Sequence, residues 1–175
     1  MKTFILLFLA SLPLNASAQL EWRLSIKLVA DTNNSPPPNA FINLSNEVLT
    51  ANQLLATYGR GYRFQLTEIL TLTGLSQWYN IQARNNSNKL ALQAAARANP
   101  PLYAYRTNAI NVYVVNGSSG ICSFASNGDD IILVGANVYR TILIHECGHY
   151  FNLFHTHQGE QSLDSTGSAC TNANP

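Results

Sequence analysis

TILIHECGHYFNLFHTHQGE, residues 141–160, holds all four histidines of a 175-residue chain. His145 and His149 are four apart, so on a helix their side chains leave the same face about one turn apart. Two imidazoles placed that way reach one tetrahedral zinc at about 2.0–2.1 Å each. Glu146, about 100° further around the helix axis, faces an activated water without occupying the metal, and Gly148 adds no bulk beside the pair. A catalytic zinc takes three protein ligands and keeps one position open. His155 lies six residues beyond His149, off the ligand face of an unbroken helix, so the chain must turn between them. Asn152 stands at the turn, and Asn is second only to Gly in tolerating the left-handed conformation that ends a helix. The expected site is therefore Zn2+ on His145, His149 and His155, with Glu146 as general base.

Chance produces the five-residue HExxH pattern often enough to matter. The further histidine at this distance, behind a residue able to turn the chain, makes it specific. His157 is open to three roles: an alternative ligand, a hydrogen-bond donor to a ligand, or a surface residue. Three histidines already complete the usual catalytic set, which favours a non-ligand role. Cys147 falls on the side of the helix expected to be buried and reads as a small packing residue.

Working outward, the helix is expected to begin at Asn137, a candidate N-cap. Before it, "SGICSFASNGDDIILVG" (119–135) reads as two short extended pieces around the turn SNGDD. "AINVYVVNG" (109–117) is a β-branched strand closed by Asn116 and Gly117. "KLALQAAARA" (89–98) is a short helix ended by Asn99, Pro100 and Pro101, and the preceding "ARNNSNK" is expected to be a loop. "YRFQLTEILTLTG" (62–74) places Phe64, Leu66 and Ile69 against polar neighbours as a strand. In "AFINLSNEVLTANQLLATYG" (40–59), Phe41, Leu44, Val48, Leu55 and Tyr58 recur at helical spacing as a core stripe, with Gly59 as the stop. Pro36, Pro37 and Pro38 break the chain before it, and Trp22 to Val29 forms the first strand. Strands and helices alternate without an internal repeat, so the fold class is α/β (α+β), a largely buried sheet under helices.

"HECGHYFNLFH" resembles the extended metzincin zinc motif HExxHxxGxxH, with Asn152 in place of its glycine. The following "HTHQGE" and the upstream "SGICSFASNGDDIILVG" look most like the pappalysin-type branch, and the resemblance reaches back loosely to the first strand. It implies a metzincin-like upper subdomain with a twisted mixed sheet and an active-site helix, and a zinc-dependent endopeptidase acting on a peptide or protein substrate. It further implies that substrate lies as an added antiparallel strand along Gly120, Ile121, Cys122, Ser123, Phe124, Ala125 and Ser126. The family's downstream methionine turn has no counterpart, since the chain's single methionine is Met1. Residues 156–175 are polar and rich in Gly, Ser and Asn. With the methionine turn missing, the expectation is a sequence that stops inside the catalytic domain, before the lower subdomain. The competing expectation is a secreted module that binds zinc or peptide on a vestigial site. A glutamate as third ligand, Glu160, is a poorer fit because it falls in a loop.

MKTFILLFLASLPLNASA has Lys2 ahead of an apolar run, with Ala16 and Ala18 as small residues at a cleavage point before Gln19. Residues 1–18 read as a signal peptide and 19–175 as the N-terminal part of a metallopeptidase domain. The apolar run is too short for a convincing membrane span, so the mature chain is expected to be secreted. A hydrophobic fraction of 46% supplies a core, and a net charge of +1 without a basic stripe excludes nucleic acid as the natural partner. Cys122, Cys147 and Cys170 are an odd number for an oxidising compartment, which leaves one thiol without a partner in the chain.

Overall fold

The structure is a computed structural model and describes residues 20–83, 85–117, 130–136, 142–151 and 153. Among the described residues four strands and three helices follow in the order β1 (Leu20–Val29), α1 (Ala40–Thr57), β2 (Tyr62–Leu72), a single 3-10 turn (Ser76–Trp78), α2 (Asn86–Ala98), β3 (Ile110–Val115), β4 (Ile131–Gly135) and α3 (Ile142–Tyr150). The sheet order is β2-β1-β3-β4. Every pairing among these strands is parallel. The expected mixed sheet is thus a parallel one over the described strands; from β1 to β3 this follows because α1 and α2 each carry the chain back across the sheet before the next strand begins.

Strand order fixes where the helices sit. The step from β1 to β2 and the step from β2 to β3 run in opposite directions across the sheet, so right-handed crossovers must place α1 and α2 on opposite faces. Accordingly Leu44, Val48, Ala51 and Leu55 of α1 pack with Leu24, Ile26, Val112, Val114, Ile132 and Val134 on one face. Leu92 and Ala96 of α2 pack with Val29, Tyr113, Val115, Ile131 and Leu133 on the other. Leu143 and Cys147 place α3 beside α1. With both faces covered, β3 and β4 are buried at every residue, as parallel strands require.

Three local features differ from simple periodicity. Phe64, Leu66 and Ile69 all face the α1 side, although strict alternation would turn Ile69 away. The register passes from Leu24↔Leu66 to Ser25↔Glu68. Thr67 is therefore an extra residue that reverses the parity, a β-bulge, and its hydroxyl donates to Leu24 O at 2.7 Å. Second, the Asn-rich stretch is not a loop throughout. The Asn85 side chain accepts from Ser87 N and Asn88 N, and α2 already begins at Asn86. Two amides that lack intrahelical partners are satisfied this way, so the helix starts three residues early. Third, the α1 stripe is only partly core: Leu44, Val48 and Leu55 are buried, but Phe41 is 58% and Tyr58 71% exposed. Those two lie at the ends of the helix, and Ala40 and Ala51 take inward positions. Gly59 does end α1, with φ 62°, Gly59 N donating to Ala56 O and Arg60 N to Leu55 O, the two bonds of a Schellman closure.

A polar network crosses the α2 face. Lys27 is fully buried and donates to Asn111 Oδ1 at 2.6 Å and Ser25 O at 3.0 Å, with its ammonium 5.5 Å from the Tyr113 ring centre. Burial pulls its pKa from 10.5 down to about 7, with Glu68 raising it and Arg106 lowering it further. The native state therefore sheds a proton that the unfolded chain keeps between about pH 7 and 10.5, so this lysine makes stability rise with pH across that window. Lys27→Met should remove that contribution, with a slope difference of up to about 1.4 kcal/mol per pH unit. Parallel pH slopes for parent and variant in denaturant titrations would rule out this account.

Candidate metal centre

α3 presents its residues at about 100° intervals, which separates three roles on nine residues. Leu143 and Cys147 face the core and are buried. His145 and His149 lie on another side, with His145 exposed and His149 3% exposed. Glu146 sits between the two faces and is 3% exposed. The packing role expected for Cys147 holds: it is a buried free thiol in the α1-side core. Phe151 packs against Trp22 of β1 with ring centres 4.4 Å apart and planes tilted by 57°, a contact between the end of the helix and the sheet.

The two imidazoles converge. His145 Nε2 and His149 Nε2 are 3.0 Å apart, and the rings meet edge to face with centres 4.6 Å apart. Two nitrogens on one tetrahedral zinc at about 2.0–2.1 Å would be separated by about 3.3 Å, so the observed spacing needs only a few tenths of an ångström of adjustment. His149 Nδ1 lies 2.7 Å from Leu153 O. A carbonyl only accepts, so Nδ1 carries the proton, and in the neutral ring Nε2 is left with its lone pair toward His145. A backbone acceptor behind a ligand imidazole is the usual device for fixing its tautomer and orientation.

Leu153 reaches that position because the chain doubles back after α3. Phe151 N donates to Cys147 O, and Leu153 N donates to Gly148 O at 2.9 Å. The second bond spans six residues, as at helix ends that reverse direction. The reversal brings Leu153 over Gly148, where a Cβ would meet Leu153 Cδ1 at 3.8 Å, an ordinary contact distance. Asn152, expected to make the turn, lies outside the described residues, as do His155, His157, the edge 120–126, the N-cap candidate Asn137, Cys122, Cys170 and the leader 1–18.

Glu146 Oε2 is buried and has no hydrogen-bond partner among the described residues. Burial pushes the Glu146 pKa up to about 8, against a lowering pull from Lys89. A carboxylate oxygen kept dry and unpaired costs stability unless a cation or a proton meets it. Among the described residues, no group of three His, Cys, Asp or Glu side chains forms a metal site. The donor set on α3 nonetheless fits a zinc ion: two imidazole nitrogens converge, one has its tautomer set by a backbone carbonyl, and a carboxylate one residue away has an oxygen to spare.

β4 is one of the two outer strands of the described sheet, β2 being the other, and residues 118–129 precede it in the sequence. Its start is anchored by Asp130, which accepts from Arg97 Nε at 2.8 Å and from the Tyr105 hydroxyl. No helix among the described residues is long and apolar enough to cross a membrane. No protein-family model matches the chain, and no curated protein matches it.

Sequence reasoning missed Glu47. The residue is 4% exposed, and its carboxylate accepts from Leu143 N in the first described turn of α3 at 3.0 Å. The only available signal was a lone acidic residue on the buried side of an otherwise apolar helix stripe.

Proposed function

We propose that the chain is an exported zinc-dependent endopeptidase of the metzincin kind, nearest the pappalysin-type branch, hydrolysing peptide bonds in a peptide or protein substrate. The observation that carries this reading is the pair of converging Nε2 atoms, 3.0 Å apart, next in sequence to a buried carboxylate with an oxygen that is unpaired among the described residues. His145 and His149 would hold the metal, with His155 completing the ligand set. A zinc ion bound there supplies Lewis acidity and an activated water. Glu146 takes a proton from the attacking water at Oε2 and passes it to the departing amine. Its burial keeps competing water away, so the proton stays in the exchange between nucleophile and leaving group. Leu153 O holds the His149 proton on Nδ1 and keeps Nε2 available. Residues 120–126, leading toward the outer strand β4, are the proposed substrate edge, recognised through backbone pairing.

The test is zinc content together with hydrolysis. The purified chain should bind one zinc per molecule, and cleavage of a quenched peptide library should disappear with a chelator and return with zinc. One tightly held zinc without cleavage by the longest chain the reading frame encodes would favour the non-catalytic module. Absence of bound zinc would defeat the peptidase reading and the zinc-binding form of the module.

A further inference from the structure

α1 grips both ends of the connection that leads from β4 into α3. Asn43 Nδ2 donates to Ala136 O at 3.5 Å just past β4, and Glu47 Oε2 accepts from Leu143 N at 3.0 Å, a contact spanning 96 residues of sequence. Asn43 and Glu47 are four apart on one helix, so they project from the same face one turn apart.

Glu47 is the only acidic residue of α1 and lies among the apolar side chains that join α1, α3 and the sheet. Packing alone would be better served by a leucine, because a buried carboxylate is costly unless it is bonded. Burial pushes its pKa up to about 7, with the Leu143 amide pulling it back. What the carboxylate supplies is an acceptor for an amide in the first described turn of α3, which has no partner among the described residues of its own helix, toward the end where the helix dipole favours negative charge. Leu143 precedes His145 by two residues. Apolar contacts through Leu143 and Cys147 hold α3 on the sheet but do not fix its axial position or rotation sharply. A metal site tolerates only about 0.5 Å of error in its ligands, and a hydrogen bond to a defined amide supplies that restraint.

We propose that Glu47, assisted by Asn43, is a positioning residue for the histidine pair: it sets the rotation and axial position of α3 so that His145 and His149 converge. The proposal rests on the metallopeptidase reading of that pair.

The experiment compares parent, Glu47→Ala and Glu47→Gln by amide hydrogen exchange of the metal-free chain and by zinc affinity in chelator competition. In Glu47→Ala, exchange in α3, led by the Leu143 amide, should accelerate about tenfold or more while β1 and β3 keep their protection. Zinc affinity should fall about 10- to 100-fold, the range for groups that orient ligands. Glu47→Gln retains an acceptor oxygen and should restore both measurements to near parental values. Should Glu47→Ala fail to fold, Glu47→Asp, one methylene too short to reach Leu143, gives the same comparison with the charge kept. Unchanged α3 exchange, or unchanged zinc affinity in a parent that does bind zinc, overturns the positioning role alone. A parent that binds no zinc overturns the metal reading and the proposal with it.

Discussion

Glu146→Gln should reduce peptide hydrolysis at least about 100-fold, within the 10²- to 10⁴-fold range of a general base, and leave zinc affinity nearly unchanged. Gln keeps the length and shape of the side chain, so the helix phase and the imidazole pair are undisturbed. Its amide neither takes a proton from water nor returns one to an amine. The carboxylate lies about 60° around the helix from His149 by helical geometry, close enough to face the same point yet offset from the direction in which the imidazoles aim. Its unpaired Oε2 is the atom that would carry the proton. The measurement is kcat on a quenched peptide alongside zinc competition, using the longest chain the reading frame encodes. Activity within about tenfold of the parent would remove Glu146 from the mechanism. Loss of zinc together with activity would show that the carboxylate holds the metal site together and does not act as a base.

The features legible in the sequence were those with short-range causes. The β-branched run after Ala109 marks β3, which is covered on two faces, and alternation in Trp22 to Val29 marks β1, whose second face buries the polar Ser25 and Lys27. Gly59 marks the end of α1 because only a residue comfortable at φ 62° closes a helix that way. Departures arose where one residue's environment depends on distant partners. The parity break between Leu66 and Ile69 was visible as an irregular pattern, but naming Thr67 as the bulge requires the β1 register. Phe41 and Tyr58 satisfy the helical period and still face solvent, since periodicity assigns a face but not how much of that face other residues cover. The Asn85 cap was hidden by composition: Asn favours loops and N-caps for the same reason, a side chain that bonds nearby amides.

For the site, spacing carried the convergence of His145 and His149, since i and i+4 on a helix suffice to bring the rings together. The Leu153 carbonyl behind His149 was not legible, because it depends on the six-residue bond that folds the chain back onto Gly148. Glu47 was not legible either. A contact across 96 residues leaves no local pattern, and a single acid among apolar residues reads equally well as a solvent-facing position.

Zinc affinities of single histidine variants should separate ligands from bystanders by the second largest effect. Zinc bound by four protein ligands is held by about 10–16 kcal/mol, so losing one ligand should cost on the order of 10²- to 10³-fold in affinity. His149→Ala should reach the upper part of that range. It removes a nitrogen whose tautomer is already set by Leu153 O at 2.7 Å, together with a buried ring that packs edge to face on His145. His145→Ala should cost somewhat less, because this ring is exposed and must give up its contact with His149 Nε2 before it binds. His155→Ala should fall with these two, whereas His157→Ala should stay within about threefold of the parent, three histidines being the usual catalytic complement. If His157→Ala weakens zinc and His155→Ala does not, the chain turns later than Asn152 and the third ligand is reassigned. The α3 pair would still stand, because its geometry depends on neither residue.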